Sequence, residues 1–231
     1  MTNIPIQFTE PVPGVVQHTA RFSLEDFPLE ALRSAGIELP SSLQSAVKKR
    51  QYEFMMSRYC AKLCLEQLGL RPPPLIGSHM DRSPLWPDGF VGSISHTEGW
   101  AGAIVGKQST VLSLGLDFEY EIERDTSSLI HHICRDTAEL DAIIAHFSCS
   151  VGRALTIIFS AKESFYKAVH PRLKNFFGFQ AARVIPRANE EIAIELLHDL
   201  SDEFMHGQIW PVRVRKVGGQ VIETLLIELA P

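Results

Sequence analysis

The stretch VLSLGLDFE, residues 111–119, constrains this chain most, because so apolar a run predicts a strand inside the fold. Side chains alternate along a strand, so Leu112 and the other apolar residues of even number are predicted to face a core. The opposite face ends in Asp117 and Glu119, with Gly115 leaving room for a ligand. Two adjacent carboxylates raise each other's pKa unless a cation lies between them, and Mg²⁺ suits such a pair. Taken alone, the pattern favours the simpler alternative, a strand end that reaches solvent.

The composition describes an ordinary globular protein of 231 residues, 45% of them hydrophobic and 21% charged. The formal net charge of −5 argues against binding to duplex nucleic acid, which calls for a basic domain. No apolar stretch approaches the length that crosses a bilayer, and no signal peptide pattern is found. Four cysteines without a CxxC pair then favour reduced thiols and a cytoplasmic protein.

The order of predicted elements is mixed, which favours the α+β class. The clearest helix covers residues 43–68, with apolar residues at helical spacing, and Gly69 and the prolines after it end it. Two further helices are predicted over 127–146 and 151–169, the latter stopping before Pro171. The tail reads as strands, with a hairpin turn at Gly218-Gly219.

A second polar cluster lies in FSAKESFYK, residues 159–167, on the last predicted helix. Glu163 and Lys167 stand four residues apart and share one face of the helix. A surface ion pair of little energetic value explains them simply. The functional alternative makes Glu163 a third carboxylate beside Asp117 and Glu119, with Lys167 facing phosphate oxygens.

The segment GSISHTEG, residues 92–99, contains a serine and a histidine but lacks the last glycine of a hydrolase nucleophile elbow. A single histidine in a turn is more often a structural hydrogen-bonding group. The basic residues Lys48 to Arg50 with Arg58 are, by themselves, most simply a solvated helix face. His131, His132 and Cys134 lack a matching second pair of ligands, so we expect no zinc site.

Together these segments resemble the 4′-phosphopantetheinyl transferases of the surfactin-synthetase-activating type, in particular the enterobactin synthetase component D branch. The family motif G-[IV]-D-x-E corresponds to residues 115–119, with Leu116 in place of isoleucine or valine. The motif [FW]-[ST]-x-K-E-[AS]-x-x-K corresponds to residues 159–167. KRQYEFMMSRYCA, RSPLWPDG and SISHTEGW follow the same branch in the same order, so the resemblance covers roughly residues 43–180.

The resemblance implies a pseudo-dimer of two similar α/β halves with the active site in the cleft between them. Residues 1–109 would form the N-terminal half with the coenzyme A nucleotide contacts, and 110–231 the C-terminal half with the metal site and catalytic helix. The implied reaction moves the phosphopantetheine arm of coenzyme A to a serine of an apo acyl, peptidyl or aryl carrier protein and releases 3′,5′-ADP. Such a chain needs no second subunit, so a monomer without nucleic-acid or membrane partners is expected.

The same resemblance assigns roles to individual residues. Asp117, Glu119 and Glu163 would hold Mg²⁺ on the pyrophosphate. Glu163 would also accept the serine proton, directly or through water, and Lys167 would stabilise the transferring group. The residues implied in coenzyme A binding are Arg50, Arg58, Arg82, Ser95, His96, Lys162 and Lys167.

Two other functions stay open at this point. The chain could be a non-catalytic coenzyme A or carrier-protein binding module, although a pure binder has no need of three carboxylates and a lysine. Another Mg²⁺-dependent phosphoryl transferase is disfavoured because the Walker G-x-x-x-x-G-K-[ST] pattern is absent. Met55, Met56 and residues 176–179 are candidates for carrier docking, with an ordinary core position an equal alternative.

Overall fold

The structure is a computed structural model that describes residues 5–23, 29–123, 127–188 and 191–231. The chain divides into two compact units. Unit 1 consists of the described part of Met1–Leu114 together with Leu229–Pro231, and unit 2 consists of the described part of Gly115–Glu228. Both units combine helices with a sheet, which confirms the predicted α+β class.

Unit 1 packs one long helix on a four-stranded antiparallel sheet, whose strands in spatial order are Ile6–Val12, Val15–Arg21, Trp100–Lys107 and Phe90–Thr97. A short 3-10 turn, Ser41–Leu43, precedes the long helix. The elements in chain order are β1 (Ile6–Val12), β2 (Val15–Arg21), α1 (Leu29–Ser34), α2 (Lys48–Gln67), β3 (Gly77–Ser78), β4 (Pro84–Leu85), β5 (Phe90–Thr97) and β6 (Trp100–Lys107).

Helix α2 confirms the helix predicted from apolar spacing, although it begins at Lys48 rather than at residue 43. Its apolar face is completely buried against Ala101, Ala103 and Val105 of the sheet. Met55 and Met56 lie in this core with 0% exposure, so the idea that they form a docking rim is wrong. Burying an apolar side chain of this size stabilises a fold by about 1.5–3 kcal/mol, which explains their position.

Unit 2 packs its longest helix on a five-stranded sheet, whose strands in spatial order are Val111–Tyr120, Val221–Leu229, Ile209–Gly218, Ile192–Leu196 and Ala182–Pro186. The first of these strands starts in unit 1. A 3-10 turn, Phe179–Ala181, precedes the last. The elements are β7 (Val111–Tyr120), α3 (Ser127–Ile133), α4 (Thr137–Phe147), α5 (Val151–Leu173), β8 (Ala182–Pro186), β9 (Ile192–Leu196), β10 (Ile209–Gly218) and β11 (Val221–Leu229). Within the described ranges, only α4 and α5 taken as a pair have the length and hydropathy of a membrane span, and they are bent by 108° at their break.

Two predicted boundaries in unit 2 are wrong. The helix expected over 127–146 is divided into α3 and α4, because Asp136 caps α4 by accepting the backbone N–H of Glu139 at 2.9 Å. Helix α5 continues through Pro171 and ends at Leu173. The cap residue Lys174 is left-handed, and its N–H donates to the His170 carbonyl at 2.8 Å. Proline removes one hydrogen bond there, and the last turn tolerates that loss.

The hairpin predicted at Gly218-Gly219 is confirmed. It joins β10 to β11, and both glycines have positive φ angles, 151° and 52°. Left-handed backbone favours glycine, so the two residues fit this turn.

Candidate active site

Strand β7 and helix α5 approach each other closely because residue 115 is glycine. A Cβ atom there would lie 1.9 Å from the Ser164 carbonyl oxygen. The expectation that Gly115 leaves room for a ligand is therefore wrong, since the helix backbone occupies that space. Leu112, predicted to face a core, is 40% exposed because residue 112 lies near the start of β7, where this face is open to solvent.

The close approach brings the second polar cluster to the strand end. Lys167 donates from Nζ to Asp117 Oδ1 at 2.6 Å and to the Leu116 carbonyl at 3.1 Å. Ser160, one helix turn before Glu163, donates to Asp117 Oδ2 at 2.8 Å. The Asp117 side chain is 4% exposed, so these donors compensate the cost of burying its charge.

Glu119 and Glu163 are electrostatically coupled to this pair. The pKa of Glu119 is raised to about 7, chiefly by burial and then by the charge of Asp117, with Glu163 also raising it and Lys167 lowering it. Burial also raises the pKa of Glu163, with Lys167 lowering it and Asp117 raising it. The three carboxylates and the Lys167 ammonium group are thus electrostatically coupled, which leaves an excess of negative charge when all are ionised.

This donor set fits a hard divalent cation in its chemistry, because Mg²⁺ prefers carboxylate oxygens and would relieve the mutual repulsion. In the described part of the chain, however, no three His, Cys, Asp or Glu side chains are gathered as a finished ligand set. Mg²⁺ binding by Asp117, Glu119 and Glu163 therefore stays a prediction.

Lys162 points away from the three carboxylates and forms a buried ion pair. Its Nζ lies 3.0 Å from Glu139 Oε1 and donates to the Ile133 carbonyl at 2.8 Å, with the side chain 2% exposed. Burial lowers the pKa of Lys162, and Glu139 opposes that shift. A contact of Lys162 with coenzyme A stays a prediction, and it would require the ammonium group to leave this pair.

Glu139 is a structural residue that the sequence reasoning missed. Its carboxylate accepts the backbone N–H groups of Val184, at 2.6 Å, and Arg135, in addition to the Lys162 ammonium. It thereby ties α4, β8 and α5 together. A signal was present, because an acidic residue three positions after the cap Asp136 is a helix-start pattern.

In unit 1, a second polar group joins α2 to β5. His96 pairs with Ala101 of β6, a residue of the core beneath α2, so the histidine ring lies on the helix side of the sheet. Arg50 donates from Nη1 to His96 Nε2. Glu53 Oε2 lies 3.5 Å from His96 Nδ1 and 3.6 Å from Arg50 Nη1. The sequence reasoning identified Arg50 and His96 and missed Glu53.

Ser95 lies on the other face of β5 because neighbouring residues alternate along a strand. Its partner across the ladder is Gly102, and the residue is 4% exposed. The structure therefore separates the side chains of Ser95 and His96, which were predicted to act together. A coenzyme A contact through Ser95 stays a prediction.

Arg58 and Arg82 differ in burial and in the number of contacts that hold their side chains. Arg58 is buried, stacks on the Phe54 ring at 4.7 Å and donates to the Ile76 carbonyl and Ser78 Oγ, both at 2.9 Å. The pKa of Arg58 is lowered to about 10, chiefly by burial and to a smaller extent by the charge of Arg50. Arg82 is exposed, in a turn with the left-handed φ angle of 71°.

Models of two protein families match the chain. A model of the 4′-phosphopantetheinyl transferase N-terminal domain matches residues 39–106, which include Arg50, Glu53 and His96. A model of the 4′-phosphopantetheinyl transferase superfamily matches residues 113–222, which include the three carboxylates and Lys167.

Individual relatives agree with these matches. The 4′-phosphopantetheinyl transferase PptT of Mycobacterium tuberculosis is 37% identical over 60% of this chain and 60% of its own length, so the match spans less than two thirds of that relative. Enterobactin synthase component D of Salmonella typhimurium is 34% identical over 77% of this chain and 74% of its own length. The protein of that name from Escherichia coli O157:H7 is 30% identical over 86% and 90%.

Proposed function

The chain belongs to the 4′-phosphopantetheinyl transferase superfamily, and we propose from this premise that it transfers phosphopantetheine from coenzyme A to a carrier-protein serine. The observation that carries the proposal is the cluster at the end of β7, where Lys167 lies 2.6 Å from Asp117 beside two further carboxylates. A cation set among acidic groups suits the transfer of an anionic phosphoryl group, which depends on positioning and charge neutralisation.

In the proposed reaction, the serine Oγ attacks the phosphorus that carries the pantetheine arm. A new Oγ–P bond forms, the bond from this phosphorus to the bridging oxygen breaks, and 3′,5′-ADP leaves with the electron pair. Lys167 would balance the charge that develops on the phosphoryl oxygens, and Asp117 and the Leu116 carbonyl hold its ammonium group in place.

Glu163 would accept the proton that the serine loses, directly or through a water molecule. Burial raises its pKa, which makes the carboxylate a stronger base than it would be in solvent. Mg²⁺ held by Asp117, Glu119 and Glu163 would neutralise the pyrophosphate oxygens when bound.

We assign the nucleotide end of coenzyme A to Arg50, Arg58, Arg82, Ser95 and His96. Lys162 and Lys167 are the further residues proposed to bind coenzyme A. Arg50 and His96 already contact each other, and Arg58 lies on α2, the same helix as Arg50. Arginine suits a 3′-phosphate because its planar donors match phosphate geometry.

We also propose a monomeric, cytoplasmic enzyme that acts without nucleic acid or membrane. The net charge of −5 supports the absence of a nucleic-acid partner, and the four free cysteines support the cytoplasm. Light scattering during gel filtration tests the oligomeric state, because a dimer would elute with twice the mass of the 25.8 kDa chain.

The test of transfer is the intact mass of an apo carrier protein after incubation with the protein, coenzyme A and Mg²⁺. We expect a gain of one phosphopantetheine group, and no gain for a carrier whose acceptor serine is replaced by alanine. Unmodified acyl, peptidyl and aryl carriers, with coenzyme A still bound by the protein, would favour a binding module instead.

A further inference from the structure

Glu53 contacts two of the residues assigned to the nucleotide. Its Oε2 atom lies 3.5 Å from His96 Nδ1 and 3.6 Å from Arg50 Nη1, and Arg50 also donates to His96 Nε2. The three side chains therefore form a closed group that joins the first turns of α2 to β5.

The exposed fractions of the three side chains show which of them lies deepest in the fold. The Glu53 side chain is 10% exposed, whereas those of His96 and Arg50 are 31% and 43% exposed. The carboxylate thus forms the base of the group, and the two nitrogen-bearing side chains reach solvent above it. Glu53 itself has little surface left with which to contact a ligand.

The contacts also fit one tautomer of His96 rather than the other. An arginine N–H can only donate, so His96 Nε2 accepts from Arg50 and is unprotonated in this arrangement. The neutral ring then carries its proton on Nδ1, which faces Glu53 Oε2. A carboxylate behind a histidine orients the ring in the same way in metal sites.

We propose that Glu53 is a positioning residue for nucleotide binding, holding Arg50 and His96 in place for the 3′-phosphate of coenzyme A. The inference rests on the proposed function, because the assignment of Arg50 and His96 to the nucleotide comes from it. Without the charge of Glu53, Arg50 loses the ion pair that holds it on the helix. The His96 ring loses the carboxylate that faces its Nδ1 atom and favours one tautomer.

The test compares binding of coenzyme A with binding of dephospho-coenzyme A, which lacks only the 3′-phosphate, by calorimetry. We expect Glu53→Gln to weaken coenzyme A binding about 10-fold, the lower end for loss of a residue that orients a ligand. Binding of dephospho-coenzyme A should stay within 2-fold, so the preference for the 3′-phosphate largely disappears. Glu66→Gln is the matched control, because it makes the same chemical change on the same helix, next to Lys62.

Two results for the Glu53→Gln variant would overturn the inference: an unchanged preference for coenzyme A over dephospho-coenzyme A, or an equal loss of affinity for both ligands, which indicates a structural role. A wild-type protein that does not distinguish the two ligands would also overturn it, yet carrier modification would still support the proposed function. Conversely, the carrier could stay unmodified while the preference for coenzyme A over dephospho-coenzyme A still depends on Glu53. That result would refute the proposed transfer and leave the role of Glu53 in binding intact.

A measurement on the wild-type protein keeps the inference testable if Glu53→Gln does not fold. Nitrogen-15 NMR of the histidine side chains reports the tautomer directly, and we expect the neutral His96 ring to be protonated at Nδ1. A ring protonated at Nε2 would contradict the geometry from which the inference starts.

Discussion

Replacing Gly115 by alanine tests how closely β7 and α5 must approach. The new Cβ would lie 1.9 Å from the Ser164 carbonyl oxygen and 2.7 Å from the Ser164 carbonyl carbon. Both are backbone atoms, so no side-chain rotation relieves the clash. The helix and strand must separate by about 1.5 Å to restore an ordinary contact of 3.4 Å.

That displacement has two expected consequences. Overpacking of this kind destabilises a fold by about 1–3 kcal/mol, which lowers the melting temperature of a chain this long by roughly 2–12 °C. A shift of about 1 Å at a catalytic group costs on the order of 100-fold in rate. The shift also separates Lys167 from Asp117. We therefore expect kcat/KM for carrier modification to fall by more than the loss of folded protein alone would cause.

Chemical denaturation and carrier-modification kinetics on Gly115→Ala measure both effects. Gly178→Ala is the matched control for the denaturation measurement in the same unit, because a Cβ there meets nothing within 4 Å and the φ angle is −85°. We expect the control to change the free energy of unfolding by less than about 0.5 kcal/mol. Wild-type stability and activity in Gly115→Ala would refute the close approach of strand and helix.

Three further predictions follow from burial and charge. Glu139→Ala should lower the free energy of unfolding by about 3–5 kcal/mol, because it leaves the Lys162 ammonium buried without its partner; denaturation measures this, and a loss below about 1 kcal/mol would contradict the ion pair. A thiol reagent at pH 8 should modify at most Cys149 in the native protein and all four cysteines in denaturant. The other three cysteines are buried, and burial raises the pKa of Cys60 to about 12. Rapid modification of three thiols in the native protein would contradict this. Chelation of divalent cations should stop carrier modification, and added Mg²⁺ should restore it; activity that persists under chelation would exclude the proposed metal.

Local sequence patterns were sufficient to predict α2, the hairpin at Gly218-Gly219 and the alternation that places Asp117 on one face of β7. The capping signal at Asp136 was equally local, and with it the break between α3 and α4 was predictable. The separation of Ser95 from His96 was also predictable, because adjacent residues of a strand face opposite sides of the sheet.

Other features depend on contacts between distant residues. The occupant of the space beside Gly115 is the backbone of residue 164, and only the packing of α5 identifies it. The Lys162–Glu139 pair joins residues 23 positions apart, and Glu53 reaches His96 across 43 positions. Spacing within one element contains no information about such partners.

The most direct test of the central claim, that the Asp117, Glu163 and Lys167 cluster transfers phosphopantetheine, is a paired measurement on Glu163→Gln. The amide keeps the size of the side chain and removes its charge and basicity. Glu195→Gln is the matched control, because its partner Arg183 lies on β8 and neither residue belongs to the cluster. We predict that Glu163→Gln still binds coenzyme A and leaves the mass of the apo carrier unchanged, while the control modifies it fully. Near-normal carrier modification by Glu163→Gln would contradict the assignment.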